Sequence, residues 1–357
     1  MPRYRQSSLS SILWLAFTLT CNDGRGRALM FMRVRRHLIS ICLCESVRLI
    51  GALLAVCIAS LAVVASASAQ QTAFRQQASG SDTRFAYGWK DAGGEARQLA
   101  FSLPTADIEA AMDLFRDYSM PQLYAHVEQA LGRDAERAGV RLQVRRTAEG
   151  TSFTVLAANP ARGEAFYGRM DRIIENARQE WLHKHARRAV GPAIHMNYVT
   201  ATQRYVAPLR PVAAALAAQL AGESARQHIA RALGFVQAIP YDDLTDPRTT
   251  GGIEFAPPPA MFRLNRGDCD SKTVALAAIL RSLLPRQRLL FVVLPQHVAL
   301  AVDLVPREGE AAVTYDGRTW LLLEPTGPAV VPPGQVAPTT AWYMGRPEEI
   351  TFFELKE

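Results

Sequence analysis

Cysteine is nearly missing from most of this chain. Five occur, and four of them (Cys21, Cys42, Cys44 and Cys57) fall before residue 70. Beyond that point Cys269 stands alone, so no internal disulfide can form there. Material for a metal site is also missing. No His, Cys or acidic cluster has ligand spacing. His183 and His185, two apart on a helical stretch, point to different faces and cannot share one ion. No metal and no cofactor is expected. There is no glycine-rich phosphate loop and no tandem repeat. A basic body is absent too. The formal net charge is +7, but residues 1–69 hold eight arginines, two acids and no lysine, and so carry +6 of it. The rest of the chain is near neutral, and nucleic acid is not expected as a partner.

The first feature present is a leader. Arg33, Arg35 and Arg36 form a basic flank, Leu49 to Ala65 is an apolar run, and Ala67-Ser68-Ala69 has the small-x-small form of a cleavage site. Residues 1–69 are therefore expected to be a signal peptide, with Met30 or Met32 as an alternative start. An uncleaved anchor is the other reading, because the run approaches the length that spans a bilayer. A membrane is expected as a partner only in that case. Export places the protein in the periplasm or outside the cell. In an oxidising compartment a lone thiol is either hidden or used.

Four segments are expected along the chain: the leader over 1–69, a polar flexible segment over 70–83, a small α+β unit over 84–200, and a second domain over 201–357. In the α+β unit, strand-like runs flank Gly93-Gly94, and helical patterns start at Thr105, Pro121 and about Arg162. Between the last two, Val140–Val144 and Ser152–Leu156 alternate like paired strands. Residues 191–210, with Gly191-Pro192 and Pro208, read as a connection. Val212 to Val236 reads as helix, with Gly222 as its break. Asp242 to Met261 reads as a long loop, either a groove rim or surface padding.

The second domain turns on Arg266-Gly267-Asp268-Cys269-Asp270-Ser271-Lys272. Gly267 permits a tight turn. Asp268 suits an N-cap, its carboxylate accepting from unpaired N–H groups at the helix start. Val274, Leu276, Ala277, Ile279, Leu280, Leu283 and Leu284 then recur at helical spacing until Pro285. Cys269 falls in the first turn, where the helix dipole favours a thiolate. Asp268 and Asp270 oppose it by raising the thiol pKa. A buried small apolar residue is the other reading of Cys269.

Strands follow: Arg288–Leu294, His297–Leu304, Thr319–Glu324 after an Asp316-Gly317 turn, and Ile350–Phe353. A cysteine nucleophile needs a base, and the base needs an orienting group. His297 opens one strand and Glu324 closes the next, and neighbouring strands lie about 5 Å apart. Asp303 shares the parity of His297, but six residues at about 3.3 Å each put it roughly 20 Å away. The catalytic set is thus Cys269, His297 and Glu324. Candidates for holding the oxyanion or the substrate are the Cys269 backbone N–H, Gln237 and Asp268. Gln237 also reads as a structural amide closing the preceding helix.

Gly267-Asp268-Cys269-Asp270-Ser271-Lys272 on a helix, His297 opening a strand, and Trp320-Leu321-Leu322-Leu323-Glu324-Pro325-Thr326 together resemble the transglutaminase-like core. Phe235-Val236-Gln237-Ala238-Ile239-Pro240-Tyr241 is similar to the stretch before the nucleophile in bacterial members. The resemblance covers about residues 212–330. It implies an α+β fold with a papain-like core, a helix packed on an antiparallel sheet, here preceded by a smaller α+β unit. It also implies a Cys-His-Asp triad, with Glu324 in place of the usual Asp. Bacterial members include periplasmic cysteine proteinases. The expected activity is hydrolysis of a peptide or amide in the cell envelope through an acyl-enzyme; acyl transfer to an amine would use the same intermediate. An inactive envelope binding module on the same scaffold is the alternative.

Overall fold

The computed structural model describes residues 31–33, 71–147, 150–191, 193–246, 255–327 and 329–356. The apolar run and the cleavage site of the expected leader lie outside them. The described chain opens with β1 (Phe31–Arg33), β2 (Gln71–Ser79), β3 (Asp82–Lys90), β4 (Ala96–Pro104) and α1 (Thr105–Asp117). Next come α2 (Met120–Ala138), β5 (Arg141–Thr147), β6 (Gly150–Leu156), α3 (Pro160–Lys184) and the short strands β7 (Arg187–Val190) and β8 (Ala193–Met196). Helices follow: α4 (Tyr198–Val206), α5 (Arg210–Ala218), α6 (Ala225–Ala238), α7 (Pro258–Leu264) and α8 (Cys269–Leu283). The chain ends with β9 (Leu289–Leu294), β10 (His297–Val302), β11 (Ala312–Tyr315), β12 (Arg318–Leu323), α9 (Pro338–Met344) and β13 (Thr351–Leu355). The class is mixed α+β. No helix among the described residues is long and apolar enough to cross a membrane.

Two compact units form, one from Met1–Val63 and Met120–His195, the other from Val64–Ser119 and Met196–Glu357. The first holds the antiparallel sheet β1-β6-β5. Phe166 and Met170 of α3 pack there with Leu131 of α2 and with Phe153 and Val155 of β6. Asn159 caps α3 by accepting from the N–H groups of Ala161 and Arg162. Phe31–Arg33, inside the expected leader, pair with β6.

The second unit carries the expected nucleophile, and its membership differs from the expected boundaries. β3, β4 and α1 belong to it rather than to the α+β unit expected over 84–200, and β2 completes their sheet. The reason is aromatic packing. Tyr87 and Trp89 of β3 and Phe101 of β4 meet Phe235 of α6 at 5.1, 5.7 and 6.1 Å between ring centroids. The Tyr87 hydroxyl donates to the Phe262 carbonyl of α7. The expected flexible segment is also corrected. Gln71–Ser79 is an edge strand paired to β3 along its length. Edge pairing uses backbone groups and needs no apolar alternation.

Two further differences and one agreement concern helices. Residues 198–206, expected as connection, form α4, capped by the Asn197 side chain. The helical stretch over 212–236 is broken at Gly222 as expected: α5 and α6 flank it, and Gly222 takes φ +84. Ser224 and Gln227 then build a capping box for α6. The proline run at 257–259 starts α7 instead of belonging to a loop, since proline suits the first helical turn.

The five-stranded sheet runs β11-β12-β10-β9-β13, antiparallel throughout; the expected C-terminal strand joins it, at the edge beside β9. Asp316 and Gly317 both take positive φ, the geometry of a two-residue hairpin turn. Leu290, Val292, Ala299, Ala301, Trp320 and Leu322 cover one face. On α8 every residue from Ser271 to Leu280 is buried, and the helix packs against α4, α5, α6 and β10. A helix buried on all sides fixes whatever its first turn presents.

Candidate functional site

The Cys269 turn is held by its neighbours before the helix starts. Gly267 N–H donates to the Pro240 carbonyl, and Asp242 N–H donates to the Gly267 carbonyl. A Cβ on Gly267 would lie 2.9 Å from Met261 Cγ and 3.1 Å from Ser271 Cβ. Glycine is therefore required there by close approach rather than by turn conformation. Asp268 is the N-cap. Its carboxylate accepts from the Ser271 N–H at 2.9 Å and from the Ser271 hydroxyl. Ser271 Oγ in turn accepts from the Ala256 N–H at 2.7 Å. Asp268 is buried and serves the helix start.

Cys269 is partly exposed at the head of α8. Both backbone groups of Val298, the residue after His297, turn to this helix. The Val298 N–H acts on the Cys269 thiol by lowering its pKa, and its carbonyl accepts from the Thr273 hydroxyl at 3.2 Å. They are available because the β10–β12 register begins at Leu300 opposite Leu323. The nucleophile helix thus abuts β10 where β10 and β12 part.

His297 opens β10, and its Nε2 lies 2.9 Å from Glu324 Oε1. Glu324, one residue past β12, is 5 % exposed. Its second oxygen accepts from the Thr340 hydroxyl at 2.7 Å and from the Ala337 N–H at 3.4 Å. Burial raises the Glu324 pKa, but the hydrogen bonds from His297, Thr340 and Ala337 and the charge of His297 outweigh it and bring it below the usual value. An ionised Glu324 accepts only, so the Nε2 of His297 is the donor in this pair. Asp303 pairs with Arg288 and Arg318.

No hydrogen bond joins the Cys269 sulfur to the His297 ring among the described residues. Burial pushes the Cys269 thiol well above its usual pKa, and the Asp270 and Asp268 carboxylates push it further. The N–H groups of Val298 and Asp270 oppose this without cancelling it. These effects favour the neutral thiol over the thiolate, the direction expected from Asp268 and Asp270 and opposite to that of the helix dipole. Asp270 also accepts from the Tyr198 hydroxyl at 2.8 Å.

Gln237 is not an oxyanion donor. Its Nε2 donates to the carbonyls of Glu324 (2.8 Å) and Val331 (3.2 Å), and its Oε1 accepts from the Val331 N–H. Both amide protons are spent on backbone, and the residue is 1 % exposed. The Cys269 N–H, at the first helical position, is the remaining donor of the expected set.

Sequence reasoning missed three neighbours. Thr340 bonds Glu324 from α9, far along the chain and with no motif to mark it. Lys272 was read only as part of the nucleophile motif, yet it is fully buried. Tyr241, 47 % exposed, stands near the thiol. Its pKa is raised to about 12 by burial, then by Cys269 and the carboxylates of Asp268, Asp243 and Asp270. No group of three or more His, Cys, Asp or Glu poised for a metal occurs among the described residues. No family model matches the chain, and no curated protein or solved structure matches it either.

Proposed function

We propose that this chain is an exported cysteine hydrolase with a transglutaminase-like, papain-like core, cleaving a peptide or amide bond in the cell envelope. The observation that carries the reading is the His297–Glu324 pair at 2.9 Å, standing at the strand end against which the Cys269 helix abuts. Glu324 fixes the imidazole with its proton on Nε2. His297 Nδ1 is then the base that takes the thiol proton as the sulfur attacks the carbonyl carbon. Because the thiol rests neutral, proton transfer accompanies attack. The imidazolium formed is stabilised by the Glu324 carboxylate. The Cys269 N–H donates to the tetrahedral oxyanion. Collapse expels the amine, which leaves with the proton from His297, and a thioester remains. Water, deprotonated by His297, attacks the thioester carbonyl; the acyl group leaves as a carboxylic acid, and the sulfur takes the proton back from His297. Export rests on the basic flank, apolar run and small-x-small site of residues 1–69.

A second reading, a binding module without catalysis, is favoured by one observation: burial and two carboxylates hold the thiol protonated. Acylation by p-nitrophenyl acetate separates the two. The hydrolase reading expects a burst of one equivalent of p-nitrophenolate, lost in Cys269→Ala and in His297→Ala. Absence of a burst, or a burst that survives His297→Ala, supports the module.

A further inference from the structure

The mechanism leaves one buried cation without a task. Lys272 stands three residues after Cys269 on α8, and its side chain is wholly inside the unit. Its Nζ donates to the carbonyls of Gln237 (3.2 Å) and Ile239 (2.6 Å), and to that of Thr326. Three acceptors match the three N–H bonds of an ammonium. Gln237 and Ile239 are at the end of α6, and Thr326 is two residues past Glu324. One side chain therefore ties the nucleophile helix to the end of α6 and to the loop that leaves β12.

The surroundings are built around this clamp. Gly327 takes φ +70, and a Cβ there would lie 2.8 Å from the Gln237 carbonyl oxygen and 3.3 Å from Lys272 Nζ. The Gln237 side chain reaches across to the Glu324 carbonyl at 2.8 Å. Glu324 is thus held by Gln237, whose own carbonyl is held by Lys272. A buried charge is expensive, and an apolar side chain of this size would fill the same space without that cost. Burial pushes the Lys272 pKa down to about 7, while the Glu324 and Asp268 carboxylates pull it up. Lysine is also rare in this chain. Lys90, Lys184, Lys272 and Lys356 are the only four among 40 cationic side chains. A compact ammonium can serve three carbonyls from three directions, which a planar guanidinium fork cannot do.

We propose that Lys272 is a positioning residue: by clamping the Glu324–Thr326 loop to the start of the nucleophile helix, it keeps the Glu324 carboxylate aligned on His297. Its kinetic consequence rests on the hydrolase reading above; its geometric consequence does not. Two readouts on the full chain keep them apart. One is the acylation burst. The other is the low-field proton resonance of the His297–Glu324 hydrogen bond, assigned by its loss in His297→Ala. Lys272→Met keeps the stem and removes every donor; Lys272→Gln keeps two donors and serves if methionine prevents cooperative folding. Either variant should lose or broaden the resonance. The acylation rate constant should fall at least tenfold, with half-saturation within twofold of wild type. In a Glu324→Ala background the same Lys272 change should alter the rate less than twofold, because the two act as one unit. An unchanged resonance in a folded variant, or a full tenfold loss on top of Glu324→Ala, overturns the proposal. A wild type without any burst, whose resonance still depends on Lys272, sinks the hydrolase reading and leaves the positioning role standing.

Discussion

At the scale of single residues, the candidate set Cys269, His297 and Glu324 was legible because each member stands where an element begins or ends. Cys269 follows a Gly-Asp turn, His297 follows Pro295-Gln296, and Glu324 precedes Pro325. Such punctuation survives in sequence. Lys272 was not legible as a buried clamp, since a charge within a helical pattern usually lies on a solvated face. Gln237 misled for a related reason: an amide can serve a substrate or a backbone equally well, and only the carbonyls of Glu324 and Val331 decide it. The state of the thiol was readable in direction from its flanking carboxylates, while its burial was not. Asp270→Asn tests that balance. The amide oxygen can still accept from Tyr198, but the charge beside the sulfur is gone. The thiol pKa should fall, and each unit of fall multiplies the thiolate fraction by about ten. Iodoacetamide labelling of Cys269 at pH 8 should quicken several-fold over wild type, with the unfolding midpoint little changed. A slower reaction would mean that Asp270 does not act on the thiol through charge. Gly327→Ala tests a second residue. At φ +70, with a Cβ 2.8 Å from the Gln237 oxygen, it should lower stability by about 1–3 kcal/mol. Chemical denaturation would measure that loss.

At the scale of elements, β9, β10, β12 and helix α8 were legible, because apolar runs buried on both faces leave little ambiguity, whereas the half-buried edge strand β11 was not named. What was not legible is which elements share a core. Local periodicity places a strand but does not name its partner. β3 and β4 sit far before the nucleophile in sequence, yet they supply Tyr87, Trp89 and Phe101 to the cluster around Phe235 and Phe262. β2 escaped notice because its side chains are mostly polar and it bonds through backbone. Two outcomes follow from this cluster. Phe235→Ala empties its centre and should cost about 3–5 kcal/mol, read as a lower denaturation midpoint. A fragment starting at residue 201 should fail to fold cooperatively, since it lacks the aromatic half of its own core. Near-UV circular dichroism and a thermal scan decide this. A cooperative transition in that fragment would contradict the packing of β3 and β4 described above.

At the scale of the whole molecule, two groups of the same site pull stability in opposite directions as pH rises. Lys272 falls from its usual 10.5 to about 7 on folding. Below about 7 both states hold its proton and the burial penalty is constant. Between about 7 and 10.5 the unfolded chain holds a proton that the folded one has released, so stability rises with pH. The slope cannot exceed about 1.4 kcal/mol per pH unit for one proton. Cys269 behaves in the reverse manner. Its folded pKa lies well above the ordinary 9.0, so above that value the unfolded thiol ionises first and stability falls. Tyr87, Tyr205 and Tyr241, all raised, extend the fall above pH 10. The wild-type denaturation midpoint should therefore climb from pH 7 to about 9, level off while the two slopes oppose each other, and turn over above about 10. Lys272→Met should abolish the climb whatever its absolute stability, because no group remains to release that proton. Cys269→Ala should keep the climb and delay the turnover. Urea titrations at half-unit intervals from pH 6.5 to 10.5, on the three proteins side by side, check each limb. A climb that persists in Lys272→Met would assign the titration to another group and remove the electrostatic link between the clamp and the site it holds.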